Sequence, residues 1–510
     1  MLINLYGAKC IGIEAFKVTV EVDITTGLGI HLVGLADAAV KESLLRTTTA
    51  LQALGYRVPG KKIVINLAPG DIHKSGSGYD LPIALGIIAG SGQAELPDMD
   101  KYIIMGELGL DGSVRMVPGS LPIVELAARE GFKGCILPQQ AALEALEFSD
   151  IDIYGVKNVS DVVRILSGKE DCTDLLVQNI SPIRAESPST AEVDFSEIIG
   201  QEGAKRGLEI AAAGAHNVIM IGPPGSGKSS LAKALAGILP SMTHEESVQT
   251  SKIYSVAGLA TPECGLIRRR PFRSPHLSAS IPAIIGGGSD TIMPGEISLA
   301  HNGVLFVDEF CEAPKRIIET LRGPMEDRKV TISRLKTKVQ YPASFMLVAA
   351  SNPCPCGYWG EGDRCTCSPS RRLAYMAKLS GPLLDRIDVQ LICKSVDPHR
   401  MVRMEPAESS AVIAERVLKA RKIQEERFRN EEIFTNSEMS GRLISKYCVI
   451  DRECQEYLEK VMTNLGLSAR ACTRILKLAR TIADLDASHD ITISHLREAV
   501  GYRFLDKMNI

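Results

Sequence analysis

Apolar and polar residues alternate along Lys17–Ile24 (KVTVEVDI), the two-residue period of a half-buried strand, and Lys62–Leu67 (KIVINL) carries a second such run. Elsewhere the period lengthens. Asp37–Leu54 and Leu121–Glu130 space their apolar residues as amphipathic helices do, and the second leads through a glycine turn to the strand-like Cys135–Leu137. Over 169–193 the pattern dissolves into Ser, Pro, Thr and acids, which predicts a linker. From Asp194 to about 400 short apolar runs alternate with helical ones, as in a three-layer α/β domain. The remainder, 401–510, reads as helical, with Ala411–Phe428 and Ala469–Leu485 its clearest amphipathic runs. No period of a solenoid or propeller is present. The predicted division is a mixed region over 1–168, an α/β domain over 194–400 and a helical lid.

Composition narrows this picture only a little. A chain of 510 residues exceeds what one hydrophobic core serves, in keeping with several domains. Hydrophobic residues at 45% and charged residues at 23% are ordinary for a soluble globular protein. A net charge of -3 neither demands nor excludes a nucleic-acid partner, because a local basic surface fits inside a balanced total. The opening MLINLYGAKCIGIEAF has no basic stretch before a long apolar core, so no secretory leader is expected. The apolar runs fall short of the roughly 20 residues that a membrane span needs, so no membrane partner is expected. Thirteen cysteines, scattered except for one cluster, fit a reducing cytoplasm better than a disulfide scaffold.

The chemistry is concentrated after residue 217. Val218–Ile221 (VIMI) reads as a buried strand, followed at once by Gly222, Pro223, Pro224, Gly225, Ser226, Gly227, Lys228 and Ser229, then by a helical LAKALAGIL. Strand, glycine loop and helix in that order are the context in which G-x-x-x-x-G-K-[ST] cradles phosphates. Lys228 is expected to reach the β- and γ-phosphates of ATP, and Ser229 to ligate Mg²⁺. Val304–Glu309 (VLFVDE) supplies the second half: a buried strand presents Asp308 at its C-terminal edge to hold Mg²⁺, and Glu309 to polarise the attacking water. A third strand, Phe345–Ser351, ends at Asn352, placed to hold that water from the other side; an Asn before Pro is also a common turn former.

With these elements in order, residues 194–510 resemble the magnesium-chelatase/MCM branch of AAA+ ATPases, in which β-hairpins project into the pore of a hexamer. Asn352 then stands at the position called sensor 1. Arg386, in GPLLDRID, stands where AAA+ rings present an arginine finger to a neighbouring subunit, the alternative being an ion pair with Asp385 or Asp388. Arg470, in LGLSARACTRILKLAR, matches sensor 2, with Arg474 the second choice on the same helix face. More narrowly, the whole chain resembles the YifB/ComM family through RPFRSPH (270–276), NPCPCG (352–357), LSGPLLDRID (379–388) and LARTIADL (478–485). That resemblance implies an ATP- and Mg²⁺-dependent homo-hexameric helicase acting on DNA, driving branch migration during natural transformation. A magnesium-chelatase subunit and a protein remodeller are the competing readings; chelatase subunits normally lack an N-terminal region of the kind found here.

That region resembles a Lon-protease-type α+β domain through MGELGLDGSVRMVPGSLPIVELAAREGFKGCILP. A Lon-type protease needs a serine activated by a lysine. Pro122 stands where the lysine belongs, and Gly78, Tyr79 and Asp80 surround the expected serine position. Ser75 and Ser77 lie nearby without that lysine, so the domain is expected to be non-proteolytic, serving DNA binding or ring stability. The expected fold class is thus α/β: this Lon-like domain, a central AAA+ P-loop domain and a C-terminal helical lid.

Two features remain. Cys354, Cys356, Cys365 and Cys367 form two C-x-C pairs around a polar, Gly-rich loop within an insertion over 353–368, a ligand set suited to tetrahedral Zn²⁺. Four unliganded thiols on a polar loop are the alternative. Arg328–Lys338 (RKVTISRLKTK) places Arg334, Lys336 and Lys338 on a β-type segment similar to the pore hairpin before sensor 1. There they would contact DNA phosphates; a lysine-protected strand edge is the bland alternative.

Overall fold

A computed structural model of the chain describes residues 2–34, 38–147, 150–177, 193–260, 265–288, 291–334, 338–379, 381–395 and 407–505. Most of the predicted linker, 178–192, and the start of the predicted lid, 401–406, lie outside them.

The N-terminal region is a seven-stranded mixed sheet in the order Ile30–Val33, Lys62–Ala68, Glu14–Thr25, Leu2–Ile11, Tyr102–Ile104, Gly134–Pro138, Asp152–Val156. The long strands Leu2–Ile11 and Glu14–Thr25 form an antiparallel hairpin, and the last three strands run parallel. Val18, Val20 and Val22 are buried at alternate positions, as the period of two in KVTVEVDI requires. The predicted helices are present as Ala38–Ala53 and Ser120–Arg129. Cys172 and Val177 also pack into this core.

The central region is a parallel five-stranded sheet in the order Phe272–Arg273, Val304–Val307, Met346–Ser351, Val218–Ile221, Val389–Ile392. Its inner strands are buried on both faces, which is why they read as unbroken apolar runs. Alternate residues go to opposite faces. Val218, Met220, Val304, Phe306 and Val348 enter one core with the helices Glu202–Gly214 and Lys228–Ile238. Ile219, Ile221, Leu305, Val307 and Leu347 enter the other. Burying each such side chain contributes about 1.5–3 kcal/mol, so the sheet is held rigidly from both sides.

The C-terminal helices do not form a core of their own. Ile413 and Val417 of Ser410–Arg427, and Leu478 and Ile482 of Ala469–Leu485, lie in the same cluster as Val218 and Leu235. The lid therefore covers one face of the central sheet. The fold is mixed α/β with a parallel P-loop sheet and a helical C-terminal region, as expected. No helix among the described residues is long and apolar enough to cross a membrane.

The hairpin expected before sensor 1 is formed by Lys329–Ser333 and Lys338–Pro342, paired from Lys329↔Pro342 to Ser333↔Lys338. One face, Val330, Ile332, Val339 and Tyr341, is buried; the other, with Lys329, Thr331, Lys338 and Gln340, is exposed. The turn joining the first two strands of the chain packs against the buried side: a Cβ on Gly12 would lie 3.1 Å from Val339 Cγ1.

Candidate nucleotide site

The strands Val218–Ile221, Val304–Val307 and Met346–Ser351 end side by side, and ligands of open parallel sheets bind at such carboxyl ends. The P-loop strand and the acidic strand are not neighbours. Met346–Ser351 runs between them, so Asn352 emerges between Lys228 and Asp308. This order places all three predicted elements around one spot.

The loop that leaves Val218–Ile221 has no room for a side chain at its start, since a Cβ on Gly222 would lie 2.2 Å from the Cys393 carbonyl oxygen. Gly225 and Gly227 adopt φ of 75° and 83°, and a Cβ on either would meet nothing within 4 Å. Their openness is what close approach of a polyphosphate requires. Ser226 Oγ is buried without a hydrogen-bond partner among the described residues, a polar atom suited to such a ligand. Lys228, first residue of the following helix, donates to the carbonyls of Gly222 (2.7 Å) and Pro223 (2.8 Å) and to Asn352 Oδ1 (3.4 Å). Burial lowers its pKa from the usual lysine value.

Ser229 Oγ donates to Asp308 Oδ2 at 2.9 Å, bringing together the hydroxyl and carboxylate that would hold Mg²⁺. The backbone N–H of Glu309 donates to Asp308 Oδ1 at 2.8 Å and fixes that carboxylate. Glu309 itself has φ of 46°, a left-handed conformation that costs a non-glycine residue roughly 1–2 kcal/mol, and its side chain is exposed beside the loop. The donor set fits ATP and Mg²⁺.

Gln201 escaped the sequence reading. Its amide donates to the Ser226 carbonyl (3.0 Å) and the Lys394 carbonyl (2.6 Å), tying the phosphate loop to the tip of Val389–Ile392. A lone glutamine 25 residues before its partner carries no local signal.

The arginines lie elsewhere. Arg386, Arg470 and Arg474 line a cavity of about 790 Å³ together with Arg270, Arg328 and Arg421. Asn217, Gly303, Met346 and Asp388, at the starts of the central strands, line it too. The cavity is thus at the opposite end of the sheet from Lys228 and Asp308. Four strand residues at about 3.3 Å each separate the two ends by about 13 Å before any loop is counted. Arg386 pairs with Glu326, neither of the neighbouring acids proposed for it, and donates to the Pro382 carbonyl at 2.6 Å. Asp385 accepts from exposed Arg470 at 3.5 Å. Asp388 pairs with Arg474 and with His216 (3.1 Å); its carboxyl is held well below the usual range by Arg474 and His216 against the opposing effect of burial.

At the hairpin, Arg334 and Lys338 are exposed, and Lys336 lies outside the described residues. The Arg334 guanidinium reaches over the neighbouring strand Gly286–Gly287, since a Cβ on Gly287 would lie 3.3 Å from it. In the N-terminal region the structure corrects one step. Ser77 Oγ donates to Glu107, but Ser75 Oγ does have a lysine against it, Lys9, from the first strand. Linear spacing from the Lon pattern could not show that contact across 66 residues. Ser75 Oγ also shares a 3.0 Å hydrogen bond with Thr291, so the pair fastens this region to the central one.

Three family models cover most of the chain. Residues 20–141 match "Subunit ChlI of Mg-chelatase", 194–401 "Magnesium chelatase, subunit ChlI", and 407–503 the C-terminal part of that subunit. YifB of Salmonella typhimurium is 42% identical over 502 residues, 98% of this chain and 96% of the relative. Competence protein ComM of Haemophilus influenzae is 40% identical over 508 residues, 99% and 98% of the two chains. The magnesium-chelatase 38 kDa subunit of Rhodobacter capsulatus matches at 26% over only 35% of this chain and 55% of its own. Full-length identity of this order, on an AAA+ sheet with its phosphate loop and acidic strand end in register, places the chain in the YifB/ComM family of magnesium-chelatase-like AAA+ proteins.

Proposed function

We propose that the chain is an ATP-hydrolysing subunit of a homo-hexameric DNA motor, a helicase that promotes branch migration in recombination and, in a competent cell, natural transformation. The observation that carries this reading is the separation of two half-sites. Lys228, Ser229, Asp308 and Glu309 stand at one end of the central sheet, and Arg386 and Arg470 at the other. An arginine that stabilises phosphoryl transfer must touch the phosphates, so these arginines serve a neighbouring copy, and closing that relation produces a ring.

Within one site, Lys228 exchanges its bonds to the Gly222 and Pro223 carbonyls for phosphate oxygens, and Ser229 with Asp308 holds the metal. Mg²⁺ held there would supply charge neutralisation for the phosphates. Glu309 and Asn352 orient the attacking water, Glu309 accepting its proton. Lys329 and Lys338 on the exposed face of the hairpin, with exposed Arg334 just beyond its first strand, offer point charges without base-reading groups, suited to sequence-tolerant, salt-dependent contact with a phosphate backbone. The full-length likeness to Competence protein ComM supports DNA as the substrate, whereas the likeness to the chelatase subunit covers about a third of the chain.

The test is the ATPase rate with no DNA and with single-stranded, duplex and forked DNA, for wild type and for Arg334→Ala with Lys338→Ala. Stimulation by DNA, lost in the variant while basal turnover persists, is expected. A rate indifferent to every DNA, but raised by an unfolded protein or a porphyrin-loaded partner, would move the protein to the remodeller or chelatase reading.

A further inference from the structure

The loop between Asn352 and the helix Pro369–Met376 has only one short helical turn, Gly362–Arg364. It buries few apolar groups, yet ordering it costs about 1–2 kcal/mol per residue in backbone entropy. What draws it together is sulfur. Cys354 Sγ lies 3.4 Å from Cys356 Sγ and 3.8 Å from Cys365 Sγ, and Cys356 and Cys365 are 3.7 Å apart. All four ligand atoms, with Cys367, fall within 4.8 Å of one another. Four thiolates about 2.3 Å from a central ion stand about 3.8 Å apart at the corners of a tetrahedron. The spacing therefore matches a single ion; the sulfurs around a two-iron cluster would spread further. Among the described residues this is the one such group of potential ligands.

The loop also grips the nucleotide site at three places. Asn352, two residues before Cys354, bonds Lys228. Gly357, at φ of 86°, lies so close to the phosphate loop that a Cβ there would be 2.7 Å from Pro224 Cδ. Glu361 accepts hydrogen bonds from the Ser395 backbone and hydroxyl, just beyond the tip of Val389–Ile392. Cys354, two residues after Asn352, is fully buried.

We propose that Cys354, Cys356, Cys365 and Cys367 hold one Zn²⁺ as a closed tetrathiolate centre, and that this ion positions Asn352 and Pro224, so that its loss weakens nucleotide binding. The first half stands on the sulfur geometry alone; the second rests on the reading of Gly222–Ser229 as the ATP site. Zinc binding releases the thiol protons and involves no electron transfer.

The test uses the full-length protein purified without chelators. Elemental analysis is expected to give about one zinc per chain, and Cys365→Ser with Cys367→Ser to remove it. Because that variant could unfold, wild-type protein is also stripped with a high-affinity zinc chelator and then resupplied with Zn²⁺. A fluorescent ATP analogue is expected to bind about tenfold more weakly after stripping, about 1.4 kcal/mol, and to recover on resupply. Lys228→Ala is the control, keeping its zinc while losing the nucleotide. Metal-free protein with four freely reacting thiols, or iron with visible absorption, overturns the zinc assignment. Zinc that leaves with no change in nucleotide affinity overturns the coupling. Unaltered nucleotide binding in Lys228→Ala overturns the site reading instead and leaves the zinc count standing.

Discussion

The same strands build both ends of the central sheet, and the two ends have opposite chemistry. At the carboxyl ends, Lys228 bonds Asn352 and Ser229 bonds Asp308, a compact set drawn from one subunit. At the amino ends, six arginines line a cavity of about 790 Å³, and the acids that pair with Arg386, Arg470 and Arg474, namely Glu326, Asp385 and Asp388, come from two separate segments. One end leaves a glycine loop bare for a ligand, while the other gathers arginines around a cavity and holds each by an acid or a backbone carbonyl. On the function proposed above, the difference separates two tasks: each copy owns a binding site, and a whole site takes two copies.

The sharpest way to break this comparison is Arg386→Ala. If Arg386 acts on a neighbour, turnover falls by about 10³-fold while ATP affinity stays near wild type. Mixing it with Lys228→Ala should restore some activity, because certain interfaces then hold both intact partners. Mixed rings that form yet never recover, at any ratio, would return the arginine to a local role. The carboxyl end of the sheet is probed by Lys228→Ala, expected to lower ATP affinity about 100-fold, against Glu309→Gln, expected to bind normally and trap ATP. Filter binding and single-turnover assays separate the two; equal affinity for wild type and Lys228→Ala would dissolve the site at that end as described.

A smaller effect sharpens the comparison from inside the arginine cavity. His301 lines it and is buried; its Nδ1 accepts from the Ser344 backbone N–H at 3.0 Å, leaving Nε2 to donate to Gln249 at 3.1 Å. Burial lowers its pKa from 6.5 to about 4, helped by Arg270 and opposed by Glu246. The unfolded chain therefore takes up a proton that the folded one refuses. This contribution is complete above pH 6.5 and is lost as pH falls toward 4. Between pH 7 and 5 the loss is about 2 kcal/mol. Urea unfolding at both values should show it in wild type and not in His301→Gln; equal losses in both would assign the acid sensitivity elsewhere. The smallest effect belongs to Thr243, which caps His244–Val256 in a reciprocal pair with Glu246 at the rim of the same cavity. Thr243→Ala should cost about 1 kcal/mol, read as a shift in the thermal midpoint without change in ATP affinity.

The carboxyl end of the sheet was largely legible in the chain, because each of its parts is local. Val218–Ile221, the loop to Ser229 and the run into Asp308 carry their geometry in a few consecutive residues, and Ala469–Leu485 announces itself by its period. What could not be read depends on contacts between distant segments. The insertion of Met346–Ser351 between the P-loop and acidic strands is a matter of sheet order. Arg386 has two acids as near neighbours in sequence and pairs instead with Glu326, 60 residues away. Gln201 bonds Lys394 across 193 residues, and Lys9 of the first strand reaches Ser75 across 66. The cysteines fall between these cases: two C-x-C pairs suggested convergence, and the sulfur distances supply it.

The turn at Gly12 has a mechanical consequence. Val339 and Tyr341, on the inner side of the basic hairpin, are sealed by the tip of the chain's first two strands, and Ser120, Glu144 and Ser255 knit the same two regions further along. The hairpin therefore cannot swing as a free finger. A displacement of the hairpin must either drag the N-terminal sheet with it or expose Val339 to water, so hairpin and sheet are geared, and the load on one is carried by the other.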